Sequence, residues 1–228
     1  MRMDIEGVAF DLDGTLYPNY RLNIKLIPFL LKELRLTAAF GKARNIIRKE
    51  QKNDSSPLAD FYQYQASLTA KIFGSPIDQV KEKLDRLIYK GWQPFFKKIK
   101  LYKKTAETLD ALKKAGYKLG LLSDFPPETK LEYLGISGFW DAVLCSECCG
   151  TLKPHPLPFR ELAAAMKLPP EKIIYIGNSR RYDVTGANKA GMKTAWIKSP
   201  LFPGSGCKKP LPDFTFSSYR QLYDYMLN

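Results

Sequence analysis

Val8-Ala9-Phe10-Asp11-Leu12-Asp13-Gly14-Thr15-Leu16-Tyr17 sets an apolar run against two carboxylates one residue apart. Side chains alternate along a strand, so Asp11 and Asp13 are expected on one face while Leu12 turns back into a core. Gly14 lets the chain leave the strand sharply. One carboxylate so placed can attack an electrophile such as phosphorus while the other handles a proton, and both can help hold a divalent cation through oxygen ligands. Asp-x-Asp-Gly also occurs in plain surface turns and in calcium loops, so the rest of the chain has to arbitrate.

A chain of 228 residues with 45% hydrophobic content suits one large domain, or a domain with an insertion, around a proper core. No stretch approaches the ~20 uncharged apolar residues of a membrane span, and Met1-Arg2-Met3-Asp4-Ile5 runs almost directly into a strand; a soluble cytoplasmic protein is the expectation. Three of the four cysteines are packed as Cys145, Cys148 and Cys149, unlike the even framework of a small secreted protein, so reduced thiols are expected. Together with Cys207 and His155 they invite a zinc reading. No second C-x-x-C pair exists and Cys145 falls on a buried strand end, which favours a structural role, with oxidation sensitivity still expected. The single histidine, beside two prolines, is read as structural or superficial.

The net charge of +13 is unevenly spread: residues 17–104 hold 19 Lys/Arg against 7 Asp/Glu. Such a field favours an anionic ligand, although a solvated basic surface explains it as well. No nucleic-acid module accompanies it.

Along the chain, Ile5–Phe10 reads as a buried strand and the periodicity after Leu16 as helical. Plausible helices cover Asn23–Leu36 and Thr37–Gln51. Ser56-Pro57 supplies a start signal for a helix carrying Leu58, Phe61, Leu68 and Ile72 and stopped by Gly74. Ser75-Pro76-Ile77-Asp78 starts another with Val80, Leu84, Leu87 and Ile88 on its stripe. These form an all-helical bundle ending near Gly91, whose apolar stripes are read as internal packing. From Thr105 helices and strands alternate: helix Thr105–Ala115, strand Tyr117–Leu122, helix Glu128–Leu134, strand Ala142–Cys145, helix Pro158–Met166, strand Lys172–Ile176, helix Asp183–Ala190, strand Lys193–Ile197, and a terminal helix near Ser218–Leu227. That alternation predicts an α/β fold with a doubly wound parallel sheet, which binds ligands beyond the carboxyl ends of its strands.

Three further strands end in polar residues: Leu121-Leu122-Ser123-Asp124, Thr151-Leu152-Lys153-Pro154-His155-Pro156 after another strand, and Ile176-Gly177-Asn178-Ser179-Arg180-Arg181-Tyr182-Asp183. In the order and content of these four motifs the chain resembles the haloacid dehalogenase superfamily over essentially its whole length. The resemblance implies a Rossmann-like catalytic core of residues 1–16 and 97–228, with residues 17–96 as a mobile helical cap.

It further implies that Asp11 is the nucleophile and takes up a phosphoryl group, and that Asp13 protonates the leaving oxygen and then activates water. Thr15 and Ser123 would bind the phosphoryl oxygens, and Lys153 would neutralise charge and bind phosphate. Magnesium would be held by Asp11, the Asp13 carbonyl, Asn178 and Asp183. Asp13 separates phosphate-ester hydrolysis from dehalogenation, because the dehalogenases of this superfamily lack a carboxylate at the second position. The fourth motif departs from the family in having Asn178 where an Asp usually stands, and His155 replaces a frequent Asp in the third. A catalytically weak or inactive member that binds a phosphorylated ligand or partner is therefore an alternative, and a phosphomutase another. The expected substrate is a small anionic phosphate monoester such as a nucleotide, sugar phosphate or phospho-acid, with nucleic acid a less favoured option. Lys25, Arg21 and Arg44 are candidates to contact it by charge, as are Arg180 and Arg181. Lys97, Lys98, Lys100, Lys103 and Lys104 are read chiefly as solvated. Oligomeric state has no signature.

Overall fold

The computed structural model describes residues 4–51, 56–198 and 210–228. Cys207 and most of the Pro200–Pro212 loop lie outside them. The central strand is β1 (Gly7–Phe10), flanked by β2 (Lys118–Ser123) and β4 (Ile173–Gly177). With β3 (Ala142–Cys145), β5 (Lys193–Ile197) and β6 (Phe214–Phe216), the six-stranded sheet runs in the order β3-β2-β1-β4-β5-β6. Every pairing is parallel, and Gly7 lies opposite both Lys118 and Ile173.

All four residues of β1 are buried, as a strand covered on both faces requires. Val8 and Phe10 join a core with Leu109, Leu112, Leu121 and Tyr219, whereas Ala9 joins another with Leu122, Phe159, Leu162 and Tyr175. The helices that supply these layers are α6 (Thr105–Lys114) and α10 (Tyr219–Leu227) on one face, and α8 (Leu157–Met166) and α9 (Thr185–Lys189) on the other. Helix α7 (Glu128–Tyr133) follows β2. Side-chain alternation thus distributes one strand between two cores.

Five further α-helices of the described residues lie between β1 and β2 in sequence: α1 (Asn19–Lys32), α2 (Leu34–Glu50), α3 (Phe61–Phe73), α4 (Ile77–Leu84), which continues through a π-helical turn at Asp85–Lys90, and α5 (Gln93–Phe96). Helix α1 begins four residues earlier than its periodicity predicts, because Pro18 sets its entry and accepts from the Arg21 N–H. The start signal for α3 is Asp60, whose carboxylate accepts from the Gln63 N–H, and not Ser56. Gly74 closes α3 with φ of +78°, as expected.

Val80, Leu84 and Ile88 are buried in the core of the insertion, so that stripe is internal. The expectation fails in part for α1: Leu22 and Leu26 are buried, but in the core with Val8 and Phe10, while Ile24, Ile27 and Leu31 are exposed. It fails differently for α3, whose buried face includes Gln65 and Thr69 while Leu68 is only half-buried. Strand β6 has no counterpart in the sequence reading; Asp213 ties its start to β5 by accepting from the Thr194 N–H at 2.8 Å. Among the described residues no helix is long and apolar enough to cross a membrane.

Candidate active site

Strand β1 ends at Phe10, one residue before Asp11, so the two carboxylates stand on the loop beyond the strand and not on its face. Leu12 is fully buried, as expected, while Asp11 and Asp13 are held apart by different partners. The Asp11 carboxylate, 7% exposed, accepts from the Thr15 hydroxyl at 2.7 Å and from the Lys153 ammonium at 2.8 Å. Lys153 also donates to Asp183 at 3.0 Å and to the Tyr175 hydroxyl at 2.7 Å. One ammonium therefore serves two buried carboxylates.

That imbalance is visible in the titration of Asp11. Burial pushes its carboxyl up to about 7; Lys153 pulls it down, and Asp183 pushes it up again. Burial also works against the Lys153 ammonium, but Asp11 and Asp183 hold it charged well above the usual lysine range.

Asp13 is more open and is clamped by two residues that the motif does not announce. It accepts from the Tyr17 hydroxyl and from Lys130 of α7, at 2.7 Å to one oxygen and 3.0 Å to the other. Lys130 lies over the rings of Phe96 and Phe125, at 5.1 and 5.3 Å. A lysine more than one hundred residues downstream carries no spacing signal, so sequence reasoning missed it.

Gly14, with φ of +93°, turns the loop so tightly that a Cβ there would come within 2.0 Å of the Asn178 amide nitrogen and 2.5 Å of that of Asn19. The structure thus brings the fourth-motif Asn178 against the first-motif loop. Asn19 donates to the Asp13 carbonyl at 3.1 Å. Asp183 is fixed by the Ser179 N–H at 2.9 Å, and Gly177 is required beside it, since a Cβ would lie 2.3 Å from that of Asp183. Ser123 is fully buried at the end of β2, where its hydroxyl accepts from the Phe125 N–H.

Asp11 and Asp183 share the one Lys153 ammonium, and the negative charge left over is of the kind that a hard dication would balance. The three described cysteines do not belong to this group: Cys145 is buried at the end of β3, and on the turn after it Cys148 is exposed and Cys149 half-buried.

Arg44 does not stand free to meet an anion. It is buried, donating to Gln65 at 3.0 Å, to Asp124 at 3.3 Å and to Glu147. Arg48, one turn on, donates to Asp124 at 2.7 Å and to the Lys153 carbonyl at 3.0 Å, and Gln51 donates to the Gly150 carbonyl at 2.8 Å. Arg44 and Arg48 of α2 and Gln51, which caps its C-terminus, follow at a spacing that puts them on one side. Arg21 is exposed and Lys25 half-buried. Arg180 turns to the Pro210 carbonyl and the Trp196 ring, and Arg181 lies against Tyr182. Lys97, Lys98, Lys100, Lys103 and Lys104 are exposed, as expected. His155 is buried and accepts from the Leu157 N–H.

A cavity of about 180 Å³ opens between the insertion and the loop after β2, walled by Tyr89, Trp92, Phe96, Phe125 and Pro126 and reaching Lys130. It adjoins the Asp13 clamp.

A doubly wound sheet with a buried, lysine-held carboxylate just beyond its central strand is the arrangement of an α/β enzyme. A family model for haloacid dehalogenase-like hydrolases matches residues 5–191, and the chain belongs to that family. It is 27% identical to a phosphoglycolate phosphatase of Shigella boydii over 96% of this chain and 91% of that one. It is 29% identical to a glyceraldehyde 3-phosphate phosphatase of Methanopyrus kandleri over 96% of both. The fold resembles the crystal structure of a HAD phosphatase from Thermococcus onnurineus, with a TM-score of 0.64, 23% identity and 98% of each chain covered.

Proposed function

We propose that the protein is a magnesium-dependent phosphatase that cleaves a small phosphate monoester through an aspartyl phosphate on Asp11. The observation that carries the reading is the pair of carboxylates in unlike environments: Asp11 buried between Thr15 and Lys153, Asp13 more open between Tyr17 and Lys130. Two carboxylates with different surroundings can divide nucleophilic and acid–base work. The phosphatase names of the two relatives support the same reaction class.

In this reading an Asp11 oxygen attacks phosphorus, and Asp13 gives its proton to the leaving ester oxygen. Asp13 then takes a proton from the water that attacks the phosphoryl group on Asp11, which releases inorganic phosphate and restores both carboxylates. Lys153 offsets the charge gathered on the phosphoryl oxygens, and Thr15 and Ser123 are assigned to donate to them. Magnesium, held by Asp11, Asp183, Asn178 and the Asp13 carbonyl, would supply the positive charge that lets an anionic ester approach two carboxylates. Tyr17 and Lys130 position Asp13.

Residues 17–96 are assigned as a cap over a core of residues 1–16 and 97–228, since Arg48 and Gln51 of the insertion bond to backbone carbonyls of the loop that bears Lys153. The leaving group is assigned to the aromatic cavity beside Lys130.

Phosphate release from a panel of small phosphate esters, with and without magnesium, tests the proposal. Metal-dependent release by the native protein and its loss in Asp11→Asn are expected. Absence of release from the native protein, with release by Asn178→Asp, would turn the reading toward a binding protein with a weakened metal site.

A further inference from the structure

The turn after β3 holds a motif that the proposed reaction does not use. Cys145 and Cys148 are three residues apart in a helical-type turn: the Cys149 N–H bonds to the Cys145 carbonyl, and the Gly150 N–H to that of Glu147. A turn brings the Cα atoms of residues three apart within about 7 Å, against the ~4.4–6.8 Å that a disulfide spans. The Cys145 sulfur already accepts the Cys148 N–H at 3.4 Å. Cys145 is buried at the end of β3, and Cys148 is exposed with the Tyr62 hydroxyl 3.7 Å from its sulfur.

We infer that Cys145 and Cys148 form a redox-active dithiol that peroxide converts into an intraloop disulfide. Cys148 is the attacking sulfur. The neighbouring Cys145 thiol, which also lies 3.5 Å from the Asp124 carbonyl, draws the Cys148 thiol down to about 7 against the effect of burial, and Tyr62 adds to the pull. Burial pushes Cys149 up to about 11, which makes that neighbour the poorer nucleophile.

The Cys148 thiolate attacks one oxygen of hydrogen peroxide; the O–O bond breaks, hydroxide leaves and is protonated to water, and Cys148 becomes a sulfenic acid. The Cys145 sulfur then attacks the Cys148 sulfur and expels hydroxide, which takes up the Cys145 proton as a second water. Two thiols lose two electrons and two protons to one peroxide, and an added dithiol such as dithiothreitol reverses the change.

The loop that would close carries Glu147, which binds Arg44 and accepts from the Tyr89 hydroxyl at 3.0 Å, and the Gly150 carbonyl, which accepts from Gln51 and from the Leu58 N–H. The dithiol therefore sits in the segment that joins the insertion to the sheet.

Peroxide treatment of the full-length protein at pH 7, followed by alkylation and peptide mass mapping, decides the matter. Loss of both free thiols in one Cys145–Cys148 cross-linked peptide, restored by dithiothreitol, is expected, with Cys149→Ser behaving as the native protein does. In Cys145→Ser the Cys148 sulfenic acid should persist and be captured by dimedone. Tyr62→Phe should slow the reaction severalfold at pH 7 and leave it unchanged at pH 9, where the thiol ionises without help. Free alkylation of Cys145 and Cys148 after peroxide, or a cross-link from Cys148 to Cys149 or Cys207, overturns the inference.

Discussion

Asp11 is a carboxylate whose proton the folded chain retains to an unusual pH. Its value of about 7 stands above the 3.8 of an unfolded chain, so between those limits the native state binds a proton that the unfolded state has released. The stabilisation is complete below about pH 4 and is lost as pH rises through 7. Asp11→Asn should therefore stabilise the metal-free protein at pH 8 by an amount on the order of 1–3 kcal/mol, with a higher melting temperature, and leave it nearly unchanged at pH 4–5, as thermal denaturation at the two pH values will report. The same variant should lose at least ~1,000-fold in phosphate release. Magnesium relieves the same excess of negative charge and should raise the melting temperature more at pH 8 than at pH 5. Lys130→Met releases one side of the Asp13 clamp and should lower kcat by roughly 10–100-fold with a smaller effect on KM, read from initial rates. Asp11 and Asp13 were legible from their place after an apolar run, and Thr15, Lys153 and Asp183 from the resemblance carried by the order of four motifs; Lys130 was not, because the contact that matters is made across the fold.

Among the elements, those of the sheet were read to within a residue or two except β6, three residues long and anchored by Asp213 and not by an apolar run of its own. In the insertion the reading erred where a polar group does the work of an apolar one. Gln65 belongs to the buried face of α3 because it meets Arg44 and the Tyr89 hydroxyl, and no periodicity of apolar residues could show that. Helix α3 begins at Asp60, so Asp60→Ala should cost about 1 kcal/mol by denaturant titration, whereas Ser56→Ala should cost little. Gly14→Ala forces a side chain into Asn178 and Asn19 at positive φ; a loss of more than ~2 kcal/mol and of phosphate release is expected.

At the level of the whole molecule, the insertion is joined to the sheet by buried charges. Arg44 and Arg48 face Asp124, which they hold well below the usual carboxylate range against the opposing effect of burial, and Arg44 also faces Glu147. Arg44→Met leaves Glu147 buried without its ion partner and should cost roughly 3–5 kcal/mol, most of it recovered when Glu147→Leu is added; urea unfolding of the single and double variants measures both. The same joint limits how far the insertion, as the proposed cap, can swing without exposing these groups to water. Strand order carries a different consequence. Gly7 is paired with Lys118 on one side and Ile173 on the other, so β1 cannot be enclosed until both β2 and β4, far along the chain, have emerged from the ribosome. During synthesis the apolar residues of β1 wait without sheet neighbours, and until then they are ones that a chaperone would have to shield.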